Sequence, residues 1–262
     1  VELSIQQFDV VSNLLSFTIA AMGAAALFFY FTSFQIHPKY RLAVLISGVV
    51  VSVACYHYFR IHHSWHEAYA ISGTEANAVY KPTNIQFNDA YRYVDWILTV
   101  PLLVIELIAV MSLPRRESNS LTWRLAGAAI LMIALGYPGE ISTGSTRWLF
   151  WALSMVPFLY ILFVLLTELS ASLARQPELV RTRVSIARYI IVVTWLFYPI
   201  AYLAPLVGLE GPSSIVTLQV GYSIADVLAK AGFGLYIYSI AATKSELEAG
   251  IPGTLSAEAA GV

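Results

Sequence analysis

The sequence predicts an all-α fold: a bundle of seven helices crossing a membrane, with the N-terminus outside and the C-terminus in the cytoplasm. Three observations carry that expectation. Of the 262 residues, 58% are hydrophobic and only 12% charged, roughly half the charged share of an ordinary soluble domain. The apolar residues gather in seven runs, about Phe8–Phe34, Leu42–Phe59, Asn88–Leu113, Leu121–Tyr137, Trp148–Leu169, Ser185–Val207 and Ser213–Ala242. Runs of this length cross the hydrocarbon core as helices, which satisfy their own backbone in lipid, and not as barrel strands of about ten alternating residues. The cations are also asymmetric. Lys39, Arg41, Arg115, Arg116, Arg124, Arg175, Arg181, Arg183, Arg188 and Lys244 flank one set of helix ends, and Arg60, Lys81 and Arg147 the other. The excess of positive charge belongs in the cytoplasm.

The net charge of −1 gives no reason to expect nucleic acid as a partner; membrane lipid is the partner the composition implies. The single cysteine, Cys55, lies in an apolar run and can form no disulfide within the chain. Val1–Asn13 is polar and acidic, so no cleavable signal is expected there, and the start at Val1 leaves room for a trimmed leader. No repeat or long linker divides the chain. Residues 1–244 are expected to form one membrane domain, and residues 245–262 a disordered cytoplasmic tail.

The seventh run carries two charges, Asp226 and Lys230, near its middle. Ionised groups at that depth are costly and mark function. Spaced four apart, they share one helix face. A lysine in apolar surroundings either pairs with a buried carboxylate or serves as the amine that condenses with an aldehyde. The bland alternative is an Asp–Lys pair that only positions helices.

In the third run, Arg92, Asp95, Thr99 and Glu106 fall within about 60° of one another at 100° per residue. A stripe that only glued helices together would use Ser, Asn or Gln. Asp95 and Glu106 are separated by roughly 16 Å along the axis. Two acids at different depths, with Asp226 and Lys230 on another helix, suggest a proton relay. Pro101 between them frees a backbone carbonyl. His57, on the second helix, lies near the depth of Asp95. It is either a histidine hydrogen-bonded to a neighbour or a partner of that carboxylate. Aromatic residues recur at helical spacing: Trp195, Tyr198 and Tyr202 on the sixth helix, Trp148, Trp151 and Phe158 on the fifth, where Ser154 shares the spacing, with Trp96 on the third. Such stripes are ordinarily packing, but around a buried lysine they also make a slot for a flat conjugated ligand. The longest loop, Arg60 to Phe87, is expected outside the membrane. It carries His62, His63 and His66 without cysteines or clustered carboxylates, so a solvated loop is expected there and no metal site.

Lys230 with Asp226, the stretch RYVDWILT on the third helix and WLFYP on the sixth together resemble the microbial (type 1) rhodopsins. Asp95, Thr99 and Glu106 resemble the pattern of the proteorhodopsins and xanthorhodopsins, and YHYFR at Tyr56–Arg60, GYPGE at Gly136–Glu140, ELSASLARQPE at Glu168–Glu178 and GYSIADVLAK at Gly221–Lys230 resemble most closely the xanthorhodopsin and Gloeobacter-rhodopsin branch. The resemblance implies a light-driven outward proton pump of the inner (plasma) membrane, a transporter and not an enzyme. Lys230 would carry all-trans retinal as a protonated Schiff base. Asp95 and Asp226 would be counterions, Asp95 the proton acceptor, Glu106 the donor from the cytoplasmic side, His57 the partner of Asp95 and Arg92 a gate. Asp95, Thr99 and Glu106 match the Asp–Thr–Glu pattern of such pumps. The chromophore pocket would be walled by Trp96, Leu103, Met132, Gly136, Trp151, Ser154, Phe158, Trp195, Tyr198 and Tyr202. Leu103 implies green absorption. The resemblance also implies a homo-oligomer, pentamer or trimer.

Two positions depart from the pattern. Xanthorhodopsins with a carotenoid antenna have a glycine six residues before the helix-5 proline; here that place is Trp151, so no antenna is expected. The paired glutamates through which haloarchaeal pumps release protons correspond to Gly208 and Leu218, and nearby Glu140 and Glu210 are not equivalent. The relay requires an ionised Asp95 beside the cation and a protonated Glu106 in a dry inner half. Rival readings are a sensory photoreceptor or light-gated channel on the same scaffold, a colourless transporter using Asp226–Lys230 as a gate, and a Schiff-base enzyme.

Overall fold

The computed structural model describes residues 1–74, 77–174, 177–208 and 211–250. Arg175 and Glu210 lie outside the described residues, as do 251–262. Among the described residues, seven helical spans are long and apolar enough to cross a membrane. They are α1 (Ile5–Ser33), α2 (Pro38–Ala68), α3 (Ala90–Met111), α4 (Arg115–Glu140), α5 (Gly144–Leu166) with the short α6 (Glu168–Leu173) after it, α7 (Glu178–Leu203), and a seventh span from Pro212 to Glu248. That last span is built from α8 (Pro212–Asp226), a π-helical turn (Val227–Gly232) and α9 (Phe233–Glu248).

The bundle is apolar outside and polar within. Leu27, Phe31, Leu42, Val156, Phe163, Val193 and Ile200 are exposed on its flanks, whereas Arg92, Asp95, Thr99, Glu106, Asp226 and Lys230 are buried. Lipid accepts the first set at no cost, and the second needs partners inside the protein. Prolines sit inside α3, α4, α5 and α7 (Pro101, Pro138, Pro157, Pro199). Each removes one ladder hydrogen bond and leaves a carbonyl free.

Three features differ from the sequence expectation. First, α2 does not end near Phe59 but continues through Ala68, so His62, His63 and His66 are helical. Apolar content falls after Phe59, yet its inner face stays buried through Ile61 and Trp65. Second, the loop that follows is not irregular throughout. It forms a hairpin of β2 (Tyr69–Ser72) and β3 (Val79–Pro82), joined by β1 (Leu3–Ser4) in the antiparallel order β1-β3-β2. Phe8 stacks on Tyr80 at 3.7 Å and on Trp65 at 5.6 Å, which seats this sheet on the bundle end. Third, the last helix runs through Glu248, where Lys39 Nζ donates to Glu248 Oε1 at 2.6 Å. Only residues beyond 250 of the expected tail lie outside the description.

Several of the cations that flank the helix ends are buried. Arg147 donates to the carbonyls of Glu140 and Tyr202, Arg188 to the carbonyl of Leu165, and Lys244 to those of Val110 and Met111. They donate to carbonyls near helix C-termini, where the intrahelical ladder runs out of N–H groups.

Candidate functional site

Lys230 lies in the π-helical turn and is buried. Such one-turn bulges recur at functional sites because they displace a side chain from its regular helical direction. Its Nζ donates to Asp95 Oδ2 at 2.5 Å and lies 3.0 Å from Asp226 Oδ2. The amine thus bridges two carboxylates, one from the third span and one a turn earlier on its own.

The two acids differ in their surroundings. Asp226 accepts from Tyr58 Oη at 2.8 Å and from Tyr198 Oη at 2.6 Å in addition to its contact with Lys230. Asp95 has the lysine alone; among the described residues its Oδ1 has no hydrogen-bond partner. His57 Nδ1 stands 3.9 Å from that oxygen, within electrostatic but beyond hydrogen-bond reach, and 2.9 Å from the Val53 carbonyl of its own helix. Thr99 donates to the Asp95 carbonyl at 2.9 Å, holding the turn that carries the acid.

Arg92 is fully buried one turn from Asp95. Its guanidinium donates to Asp89 Oδ1 at 2.7 Å, Tyr58 Oη at 3.0 Å and Gln219 Oε1 at 2.5 Å, with the rings of Tyr58 and Tyr222 on either side. A continuous chain therefore runs from Asp226 through Tyr58 and Arg92 to Asp89, whose side chain is one-third exposed. Toward the other end of α3, Glu106 is buried and accepts from Ser47 Oγ at 2.6 Å, while its Oε1 has no partner among the described residues. An ionised carboxylate with a single donor in such a place would be costly.

A cavity opens from Lys230. Trp96, Leu103, Met132, Gly136, Trp151, Ser154, Phe158, Trp195, Tyr198 and Tyr202 all line it. So do Tyr93, Tyr222, Met155 and Ala229, which sequence reasoning did not single out. Trp96 packs edge-on to Tyr198 with centroids 5.1 Å apart, forming part of one wall. Its Nε1 is buried without a partner among the described residues. Trp151 donates to the Pro199 carbonyl at 3.1 Å, using an oxygen of the proline-interrupted α7. At the end near Tyr202, Arg147 and Glu140 pair at 3.0 Å. Gly139 is required there: a Cβ would meet Tyr202 Oη at 1.8 Å and Phe150 Cβ at 2.7 Å.

Sequence reasoning also left Tyr58, Ser47, Asp89 and Gln219 without roles. Tyr58 stood inside the quoted YHYFR stretch, and Asp89 lies one turn before Arg92. Ser47 and Gln219 gave no signal beyond being polar in apolar runs.

A slot walled by aromatic rings and closed by one buried amine between two carboxylates, on seven membrane spans, defines a retinal protein. The family described as bacteriorhodopsin-like protein matches residues 10–244, and the chain belongs to that family. Among solved structures, xanthorhodopsin, described as a light-driven ion pump with dual chromophore, superposes with a TM-score of 0.90 at 49% identity, covering 96% of this chain and 99% of that one. Thermophilic rhodopsin superposes with a TM-score of 0.90 at 42% identity, over 94% of this chain and 98% of that one. The green-light absorbing proteorhodopsin of a gamma-proteobacterium is 27% identical over 227 residues, 86% of this chain and 84% of that protein. The family comprises light-driven ion pumps that use retinal as chromophore, and with seven spans the chain is a multi-pass plasma-membrane protein. The cavity residues fit retinal: apolar, ring-lined walls suit a conjugated polyene, and Lys230 offers an amine to its aldehyde.

Proposed function

We propose that the chain is an outward proton pump in which Lys230 holds all-trans retinal as a protonated Schiff base. When bound, retinal supplies light absorption and a photoisomerisation that reorients the proton on the lysine nitrogen. The remaining work falls to side chains of this chain. Asp226, bonded by two tyrosines and coupled through Tyr58 to Arg92, keeps its negative charge. Asp95, with one oxygen unpartnered, receives the proton, because its charge is the less well satisfied of the two. Glu106 holds a proton in a dry site beside Ser47 and returns it to the lysine nitrogen from the opposite side. His57 orients toward Asp95 without binding it, and Arg92 with Asp89 closes the path beyond.

The observation that carries this reading is the unequal solvation of the acids around Lys230, with a third acid buried farther along the same helix. The direction rests on charge. The helix ends nearer Glu106 bear most of the lysines and arginines, so that end faces the cytoplasm, and protons travel from Glu106 to Asp95 and outward. Trp151, fixed to the Pro199 carbonyl in the cavity wall, supports a pump without a carotenoid antenna. Leu103 in the wall supports green absorption.

Illumination of an unbuffered suspension of cells expressing the chain, supplied with retinal, tests the proposal. The external medium should acidify under light, and a protonophore should abolish the change. No pH change, or alkalinisation, would reject outward pumping.

A further inference from the structure

We propose that His62 and His66 form a surface site for one divalent transition-metal ion of the Zn²⁺, Ni²⁺ or Cu²⁺ class, at the end of the bundle where the sheet lies. The helical extension of α2 creates the site. In a loop the three histidines would have no fixed relation, whereas in α2 positions 62 and 66 are four apart and share a face. Their ring centroids are 4.6 Å apart with planes inclined at 43°. Both Nε2 atoms converge on one point: Ser12 Oγ of α1 lies 2.8 Å from Nε2 of His66 and 3.4 Å from Nε2 of His62. Two imidazole nitrogens on one helix face, four residues apart, are the helical half of many zinc sites.

The surroundings suit that ion class. Phe8 packs edge-on to His66 at 5.1 Å and limits the motion of its ring. His66 is exposed and His62 half-buried, so an ion can reach both rings from water, and binding at the roughly 2.0–2.1 Å of metal–imidazole bonds would turn both Nε2 atoms from the Ser12 hydroxyl toward the ion. His63 points to another face and pairs with Glu67 at 3.2 Å, so it is not a ligand. Among the described residues no group of three or more His, Cys, Asp or Glu side chains could hold an ion. The site is therefore a two-histidine one, completed by water and by the Ser12 hydroxyl. With nitrogen donors and no carboxylate it favours Zn²⁺, Ni²⁺ or Cu²⁺ over Mg²⁺ or Ca²⁺. A bound ion would clip α1 to α2 beside the Phe8–Trp65 contact.

Titration calorimetry of the detergent-solubilised full chain, retinal-loaded and carrying no histidine tag, with Ni²⁺ alone tests this. One equivalent should bind. His62→Gln and His66→Gln should each weaken binding by at least about tenfold, while His63→Gln should leave it unchanged. All three positions lie away from the cavity, so an unaltered visible absorption band confirms that each variant is folded. Absence of binding by the unmodified chain, binding that survives loss of His62 and His66, or equal weakening by His63→Gln would overturn the proposal. Each of these readouts is independent of whether the chain pumps.

Discussion

Asp95 and Asp226 touch the same ammonium, and the difference between them is two tyrosine hydroxyls. A negative charge beside the lysine nitrogen stabilises the ground state of a cationic chromophore more than its excited state. Removing it narrows the gap. Asp95→Asn should therefore shift the visible band to the red at neutral pH. The unmodified chain should show the same shift on acidification, as protonation takes that charge away. The sign is fixed: red on lowering pH, reversed on raising it. A titration without a red shift, or an Asp95→Asn spectrum like the parent's, would remove Asp95 from the counterion role. Glu106→Gln keeps the shape and the Ser47 contact but removes the transferable proton. Flash photolysis should show reprotonation of the lysine nitrogen slowed by about a hundredfold, the usual weight of a positioned acid; an unchanged decay would reject the donor role. The acids and the lysine were legible in the sequence because charges stand out in apolar runs. Their inequality was not, because it depends on tyrosines 28 and 168 positions from Asp226 along the chain.

The seven spans were legible from hydropathy, since lipid forces backbone self-satisfaction and leaves only their ends to interpretation. Those ends are where the reading fell short. The last turns of α2 mix His, Trp and Glu and look like a loop by apolar content, though Ile61, Trp65 and Ala68 keep a buried helical stripe. The hairpin strands have four residues each, with no clean alternation and Lys81 and Pro82 among them, too short and too mixed to signal themselves. The π-helical turn leaves no compositional trace, because an inserted residue in an apolar helix changes register without changing pattern. Close approach between helices is equally silent. At Gly139 the side of α4 is bare, and Tyr202 of α7 uses that space to reach the Gly136 carbonyl at 3.3 Å. Gly139→Ala should overpack this contact and destabilise the protein by about 1–3 kcal/mol. Thermal bleaching of the purified pigment should begin at a lower temperature; parental thermal stability would show that the contact yields freely.

For the whole molecule, an exterior of Leu, Phe, Val and Ile against lipid encloses a column of charged side chains reaching from Asp89 to Glu106. Burying that column is expensive unless every charge has a use or a partner. Arg92 has three acceptors and Asp226 three donors, while among the described residues Asp95 and Glu106 each keep one unpartnered oxygen. Asp95 touches Lys230 and Glu106 lies farther along the same helix, and the light-driven reading depends on a chromophore tethered to that one nitrogen. The most direct measurement is therefore the visible spectrum of the purified chain after addition of all-trans retinal, beside that of Lys230→Ala treated identically. The parent should form a stable coloured pigment, and the variant should stay colourless. A pale parent, or a variant that keeps its pigment, would contradict the assignment.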